Sequence, residues 1–231
     1  MALPSLSTPE FQTVIPSTGE TISYRPFLVK EEKILLMAME GNDQKEIEIA
    51  IKKILSNCIL QDIDVNKLAM FDMEYLFLQL RGKSVGEVID LSVAHLDSEC
   101  KHRTDIKVNI DDIKIQNLDQ EKKVMLTDDV GVMMKYPTMQ EAMSVDGENT
   151  EAVFEILSKS VDYVFDAENV YSDFTEAEIV EWINGLNQTQ FQKILAFFES
   201  MPKLSYEVSW KCKECKEKDT ITLEGIQSFF T

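Results

Sequence analysis

Apolar positions change their period several times along the chain. Residues 14–24, Val-Ile-Pro-Ser-Thr-Gly-Glu-Thr-Ile-Ser-Tyr, set apolar residues on either side of a Pro-Ser-Thr-Gly turn, which predicts a β-hairpin with Gly19 supplying positive φ. A helical period follows, with Leu28, Ile34, Leu35, Met37 and Ala38 apolar, until Gly41 and Asn42 stop it. Asp43 is placed to cap a second helix whose Ile47, Ala50, Ile51, Ile54, Leu55 and Cys58 fall on one face. A third helix is expected over residues 72–80, with Met73, Leu76, Phe77 and Leu80 inward and Arg81-Gly82-Lys83-Ser84 as its stop.

From Val85 the period shortens. Val88, Leu91 and Val93 predict a strand, and Ile106, Val108 and Ile110 alternate with Lys107 and Asn109. Further short strands are expected at 124–126 and 130–134, then a short helical piece and an acidic loop over 137–147. Thr150 opens a helical segment with Val153, Phe154, Ile156, Leu157 and Val161 inward. Thr175 with Glu178 three residues on is a capping-box signature ahead of Ile179, Trp182 and Ile183. A helix at 190–198 and strands at 204–210 and 220–223 precede a short apolar helix ending in Phe229-Phe230. The Met-rich and aromatic stripes (Met37, Met39, Met133, Met134, Phe197, Phe198) are expected in the core, whereas Phe229-Phe230 either docks on its own domain or inserts into a partner.

Helices and strands succeed each other without strict βαβ alternation, so the expected class is α+β, with helical segments, antiparallel β-hairpins and a zinc-knuckle-like hairpin pair. The organisation expected is an N-terminal arm at 1–12, a β-hairpin plus helical region at 13–84 and a β-rich region at 85–136. A helical region at 137–201 follows, and the C-terminal hairpin and helix at 202–231 pack against 85–136.

Composition narrows the function classes. Only 8 glycines and 6 prolines argue against low-complexity tracts, so the chain is built to fold. The 41 acidic and 23 basic residues give a net charge of −18, which repels phosphate backbones and anionic lipid heads; neither nucleic acid nor membrane is an expected partner. The N-terminus shows no basic region followed by an apolar one, and apolar runs such as residues 34–39 are far shorter than the roughly 18 residues of a membrane span. Four unevenly spaced cysteines suit a reducing compartment better than a disulfide scaffold.

The candidate chemistry lies in those cysteines. Cys212 and Cys215 form a Cys-x-x-Cys between two predicted strands, the shape of a zinc knuckle, and such a motif is half a tetrahedral site. An internal echo offers the other half: residues 91–113 repeat the order strand, knuckle, strand and acidic turn found in residues 204–226, and place Cys100, His102 and His95 in the first knuckle. The candidate ligand set is therefore Cys100, His102, Cys212 and Cys215, with His95 as the alternative to His102 and zinc as the candidate ion. Asp97 stands where the first knuckle would need its second cysteine. With two histidines, no nucleophile elbow and no Gly-rich phosphate loop, the chain offers no catalytic constellation and is not expected to be an enzyme.

Two segments carry a family resemblance. Residues 16–20, Pro-Ser-Thr-Gly-Glu, continue into Tyr24-Arg25-Pro26-Phe27-Leu28-Val29-Lys30-Glu31-Glu32-Lys33-Ile34-Leu35-Leu36-Met37, and residues 68–77, Leu-Ala-Met-Phe-Asp-Met-Glu-Tyr-Leu-Phe, lead to Leu80-Arg81-Gly82-Lys83-Ser84-Val85-Gly86. Both resemble the T4-type phage baseplate family, which holds a baseplate hub subunit and a related hub assembly protein. The resemblance is densest over 16–113 and returns at 202–230. It implies a hub component or hub assembly chaperone of the contractile-tail baseplate, working by protein–protein contact with other hub and central spike proteins. The implied place is the cytoplasm of the infected bacterium, then the virion tail baseplate for a retained subunit; self-association is open. Members from some phages of the group carry a Cys-x-x-Cys in each of two hairpins, and here the first is reduced to Cys100. A zinc-ribbon-like adaptor in transcription or replication is the alternative that the Cys-x-x-Cys itself suggests.

Overall fold

The computed structural model describes residues 6–41, 43–95, 100–144, 150–225 and 228. A hairpin of β1 (Phe11–Val14) and β2 (Thr21–Tyr24) precedes helices α1 (Val29–Gly41), α2 (Gln44–Cys58) and α3 (Met70–Ser84). Strands β3 (Val88–Val93), β4 (Thr104–Asn109), β5 (Lys114–Gln116), β6 (Lys123–Met125) and β7 (Gly131–Met134) follow. Then come α4 (Met139–Ser144), α5 (Thr150–Lys159), β8 (Val161–Phe165), β9 (Val170–Tyr171), α6 (Glu176–Asn184) and α7 (Gln188–Glu199). Strands β10 (Lys203–Lys211) and β11 (Lys218–Glu224) complete the described elements. The class is mixed α+β, with seven α-helices and several small antiparallel sheets among the described residues.

The chain forms two compact units: Met1–Val65, Phe71–Gln116 and Lys203–Thr231 make the first, and Asn66–Met70 with Asn117–Pro202 make the second. In the first, Gly19 takes φ +74° in the hairpin turn, as its position predicts. Asp43 caps α2 by accepting the Lys45 N–H at 2.9 Å, and Ala50, Ile51, Ile54, Leu55 and Cys58 line its buried face. Thr13, Tyr24, Leu55, Cys58 and Leu76 converge on a void of about 10 Å³, so the hairpin, α2 and α3 share one core. The β3–β4 hairpin runs from Val88 opposite Asn109 to Val93 opposite Thr104. The β10–β11 hairpin extends by β10 pairing with β5, in the order β11-β10-β5. Alternation turns Ile89 and Leu91 of β3, Val108 of β4, Leu204 of β10 and Leu223 of β11 into one buried cluster, which Leu78 of α3 joins.

In the second unit, β6-β7-β8-β9 form an antiparallel sheet whose Val132, Met134, Val161 and Val164 pack with Leu157, Ile179, Ile183, Ile194 and Phe197 from α5, α6 and α7. Thr175 and Glu178 form the expected capping box, and Asn187 with Gln190 forms a second one that opens α7.

Several expectations are corrected. Helix α3 does not stop at Arg81 but runs on to Ser84 with Gly82 buried inside it, a glycine there because a Cβ would meet Ile110 Cδ1 at 3.3 Å. Val161 is not helical: Ser160 ends α5 and Val161 begins β8. Met37 is 62% exposed rather than in the core, since α1 buries the face of Glu31, Leu35 and Ala38 and leaves Met37 beyond it. Val153 is likewise exposed beside the buried Ala152. Met134 and Phe197 are buried as expected. The Phe229-Phe230 pair and Asp97 lie outside the described residues.

Candidate metal centre

The two knuckles of the sequence echo occupy the ends of two hairpins in the first unit. Strand alternation decides what they point inward. Along β3 the buried positions are Ile89, Leu91 and Val93, and the next inward position is His95, which is 8% exposed. Along β10, Leu204 and Trp210 are buried, and Cys212 continues that face with its side chain fully enclosed. The turn beyond it is closed by the Cys212 N–H donating to the Glu217 carbonyl at 2.9 Å, with Lys216 in the left-handed region at φ +63°. That geometry folds Cys215 back toward Cys212.

The hairpins are tied at this end by several contacts. The His95 ring packs on Trp210 with centroids 4.7 Å apart, and the Lys213 N–H donates to the buried Thr104 hydroxyl at 3.3 Å. Val93, Trp210 and Cys212 form a small apolar cluster that Cys100, Ile106 and Ile221 flank.

Within this setting, one ligand atom each from His95, Cys212 and Cys215 lies within 4.8 Å of the others. His95 Nε2 is 3.4 Å from Cys215 Sγ, and Cys100 Sγ is 3.8 Å from Cys212 Sγ. His95 Nδ1 lies 2.7 Å from Asp219 Oδ2, a pairing that assigns the ring proton to Nδ1 and turns the Nε2 lone pair toward the sulfurs. Cys212 and Cys215 thus stand beside His95, and Cys100 beside Cys212. His102 is exposed and is not among the three clustered residues.

The electrostatics fit a cation. Burial opposes the Cys212 thiolate, but the N–H groups of Cys215 and Glu214, helped by the Cys215 thiol and His95, bring its pKa down to about 6. The Glu217 N–H favours a Cys215 thiolate, yet desolvation and the neighbouring Cys212 and Cys100 sulfurs prevail and push it up to about 11. The hydrogen bond to Asp219 raises the His95 pKa against the effect of burial, and the same bond lowers that of Asp219. One sulfur therefore ionises readily while its neighbour resists a second negative charge, as expected where thiolates crowd without a cation. Clustered thiols and an imidazole nitrogen are the donors that zinc prefers, so this group can hold a metal such as zinc.

Asp219 is the residue that sequence reasoning missed. Its signal was present: it sits on the same face of β11 as Ile221 and Leu223 and pairs across the ladder with Trp210. A second concavity, about 510 Å³ in the other unit, is walled by Val164, Phe165, Phe174, Ile179 and Trp182. Of its rim carboxylates, Asp166 accepts from the N–H groups of Glu168 and Asn169 and Glu178 is engaged in the Thr175 cap.

No curated protein and no solved structure gives a significant match to the chain. The model of one family, described as T4 bacteriophage base plate protein, matches residues 8–231 and so takes in both hairpins and both units; the chain belongs to that family.

Proposed function

We propose that the chain is a phage tail baseplate hub component or hub assembly chaperone that acts through protein–protein contacts and not by catalysis. The observation that carries this reading is the family match from residue 8 to residue 231. A net charge of −18 disfavours contact with DNA and suits a partner of complementary charge. Exposed apolar side chains on α1, among them Val29, Leu36 and Met37, give protein contacts more to bury than a purely polar surface would. The partners in this reading are other hub and central spike proteins, met in the cytoplasm of the infected bacterium.

The test is a tagged chain recovered from infected cells across the assembly period, with bound proteins identified by mass spectrometry. Hub and spike proteins captured early, with the chain missing from purified virions, support a chaperone. Capture in both fractions supports a hub subunit. A chain that captures no baseplate protein and whose loss leaves tails intact has neither role. The Cys/His group favours one second reading, a zinc-ribbon-like adaptor in transcription or replication, against which the acidic charge counts; duplex binding at physiological salt is its measurement.

A further inference from the structure

We infer that the first unit carries a structural zinc centre in which His95 Nε2 and the sulfurs of Cys100, Cys212 and Cys215 form one closed tetrahedral set, with Asp219 fixing the imidazole from behind. The inference stands on side-chain geometry and holds whether the chain is a hub subunit, a chaperone or neither.

The distances make the first argument. Zinc bonds of about 2.3 Å to sulfur and about 2.0–2.1 Å to nitrogen, at tetrahedral angles, put two sulfurs about 3.8 Å apart and a sulfur and a nitrogen about 3.5 Å apart. Cys100 Sγ to Cys212 Sγ is 3.8 Å, and Cys215 Sγ to His95 Nε2 is 3.4 Å. These pairs share no atom, as two opposite edges of one tetrahedron would; Cys100 stands outside the mutual 4.8 Å group of His95, Cys212 and Cys215 but beside Cys212, so metal binding would draw its sulfur in as the fourth corner. The three-residue group within 4.8 Å joins the edges to each other.

The ligands are also supported from behind. A zinc-bound histidine needs its other ring nitrogen held by an acceptor, which sets the tautomer and the ring plane. Asp219 does this at 2.7 Å, while its second carboxylate oxygen accepts the Thr220 N–H at 2.8 Å. Trp210 packs on the imidazole and removes its remaining freedom. Arg103, next to His102, is drawn to the Ser92 hydroxyl and carbonyl on β3, and His102 itself is exposed.

The ligand count decides the role. Three sulfurs and a nitrogen leave no open position for water or substrate, so the ion would serve the fold and not a reaction. Cys100 and Cys212 are 112 residues apart, and His95 and Cys215 are 120 apart. One ion thus staples the β3–β4 connection to the β10–β11 turn, and its binding energy becomes folding energy for the C-terminal hairpin.

Metal content of the untagged full chain is the direct measurement, with zinc and cobalt as the probes. The expected result is one zinc per chain, and after chelation a cobalt spectrum with intense tetrahedral d–d bands and thiolate charge transfer scaled to three sulfurs. Asp219→Asn should weaken zinc about 10–100-fold while leaving the cobalt spectrum tetrahedral. Cys100→Ser and His95→Ala should lose the spectrum, and His102→Ala should keep it at full affinity. A folded wild-type chain that holds no zinc and gives only octahedral cobalt overturns the centre, leaving hydrogen-bonded thiols. A spectrum lost with His102→Ala and kept with His95→Ala overturns the ligand set. Because wild-type content and spectrum are read first, a variant that fails to fold does not rescue the idea, and neither result bears on the pull-down that tests the hub reading.

Discussion

Asp72, in the first turn of α3, is fully buried, and Ser17 in the hairpin turn gives it two hydrogen bonds, from its backbone N–H at 2.9 Å and its hydroxyl at 2.5 Å. A buried carboxylate needs such donors to offset its lost hydration. The turn of β1–β2 is thereby fastened to a helix 55 residues on. Ser17→Ala keeps the N–H bond and removes the hydroxyl, so it should cost about 1–3 kcal/mol, as for a lost hydrogen bond to a buried charged group. A urea midpoint lowered at unchanged slope would show this; an unchanged midpoint would mean that the hydroxyl contributes nothing.

Glu31 gives a pH dependence with a definite sign. It is buried in α1 and accepts from the Leu28 N–H at 2.9 Å and the Arg25 guanidinium at 3.1 Å, with Lys30 Nζ at 3.5 Å. Burial pushes its pKa up, but those donors outweigh burial and hold it below the ordinary value. A folded pKa below the unfolded one stabilises fully above about pH 4.3 and loses that contribution as pH falls through the lower, folded value. Glu31→Gln should therefore be less stable than the parent at pH 7, and the gap should close in acid. A gap that stays constant from neutral to acidic pH would show that Glu31 acts by shape and not by charge.

Much of this was legible because it is local. The Gly19 turn, the Asp43 cap and the Thr175–Glu178 capping box each rest on residues within a few positions of one another. Strand β8 was not legible, since Val161-Asp162-Tyr163-Val164-Phe165 follows α5 without a Gly or Pro break and becomes a strand by pairing with β7. Gly82 looked like a stop because its reason, the nearness of Ile110, is a tertiary contact. At the site, Cys212 and Cys215 announced themselves by spacing. His95 and His102 flank Cys100, and spacing alone does not choose between them; the continuation of β3 parity through Val93 brings His95 inward. Asp219 became visible once the ladder put it opposite Trp210.

Gly131 begins β7 where side chains crowd its backbone. A Cβ there would run into Phe165 Cζ and meet the Val124 carbonyl oxygen at 2.9 Å and Met125 Sδ at 3.0 Å. The phenyl tip and thioether can swing away, but the carbonyl belongs to the β6–β7 ladder and cannot move without breaking register. Gly131→Ala should destabilise the second unit by about 1–3 kcal/mol, the usual cost of overpacking. Amide exchange should accelerate in β6 through β8 and stay unchanged in α2 and α3. Equal acceleration in both units would mean that they unfold as one.

Cys58 and Cys215 should differ sharply toward an alkylating reagent. Cys58 closes α2 with its side chain fully enclosed, and burial pushes its thiol up to about 11, with Arg25 only partly opposing. That cuts its thiolate fraction at neutral pH about a hundredfold relative to an ordinary cysteine, and enclosure removes access as well. Cys215 also resists ionisation, but it is exposed and pays only in thiolate fraction. In chelator-treated, folded protein, iodoacetamide followed by peptide mapping should label Cys215 well before Cys58, which should react only as denaturant unfolds the first unit. Added zinc should then slow Cys215 and leave the Cys58 rate unchanged, because only Cys215 belongs to the His95–Cys212–Cys215 group that could hold the ion. Early labelling of Cys58 would mean that the core shared by the hairpin, α2 and α3 opens under native conditions.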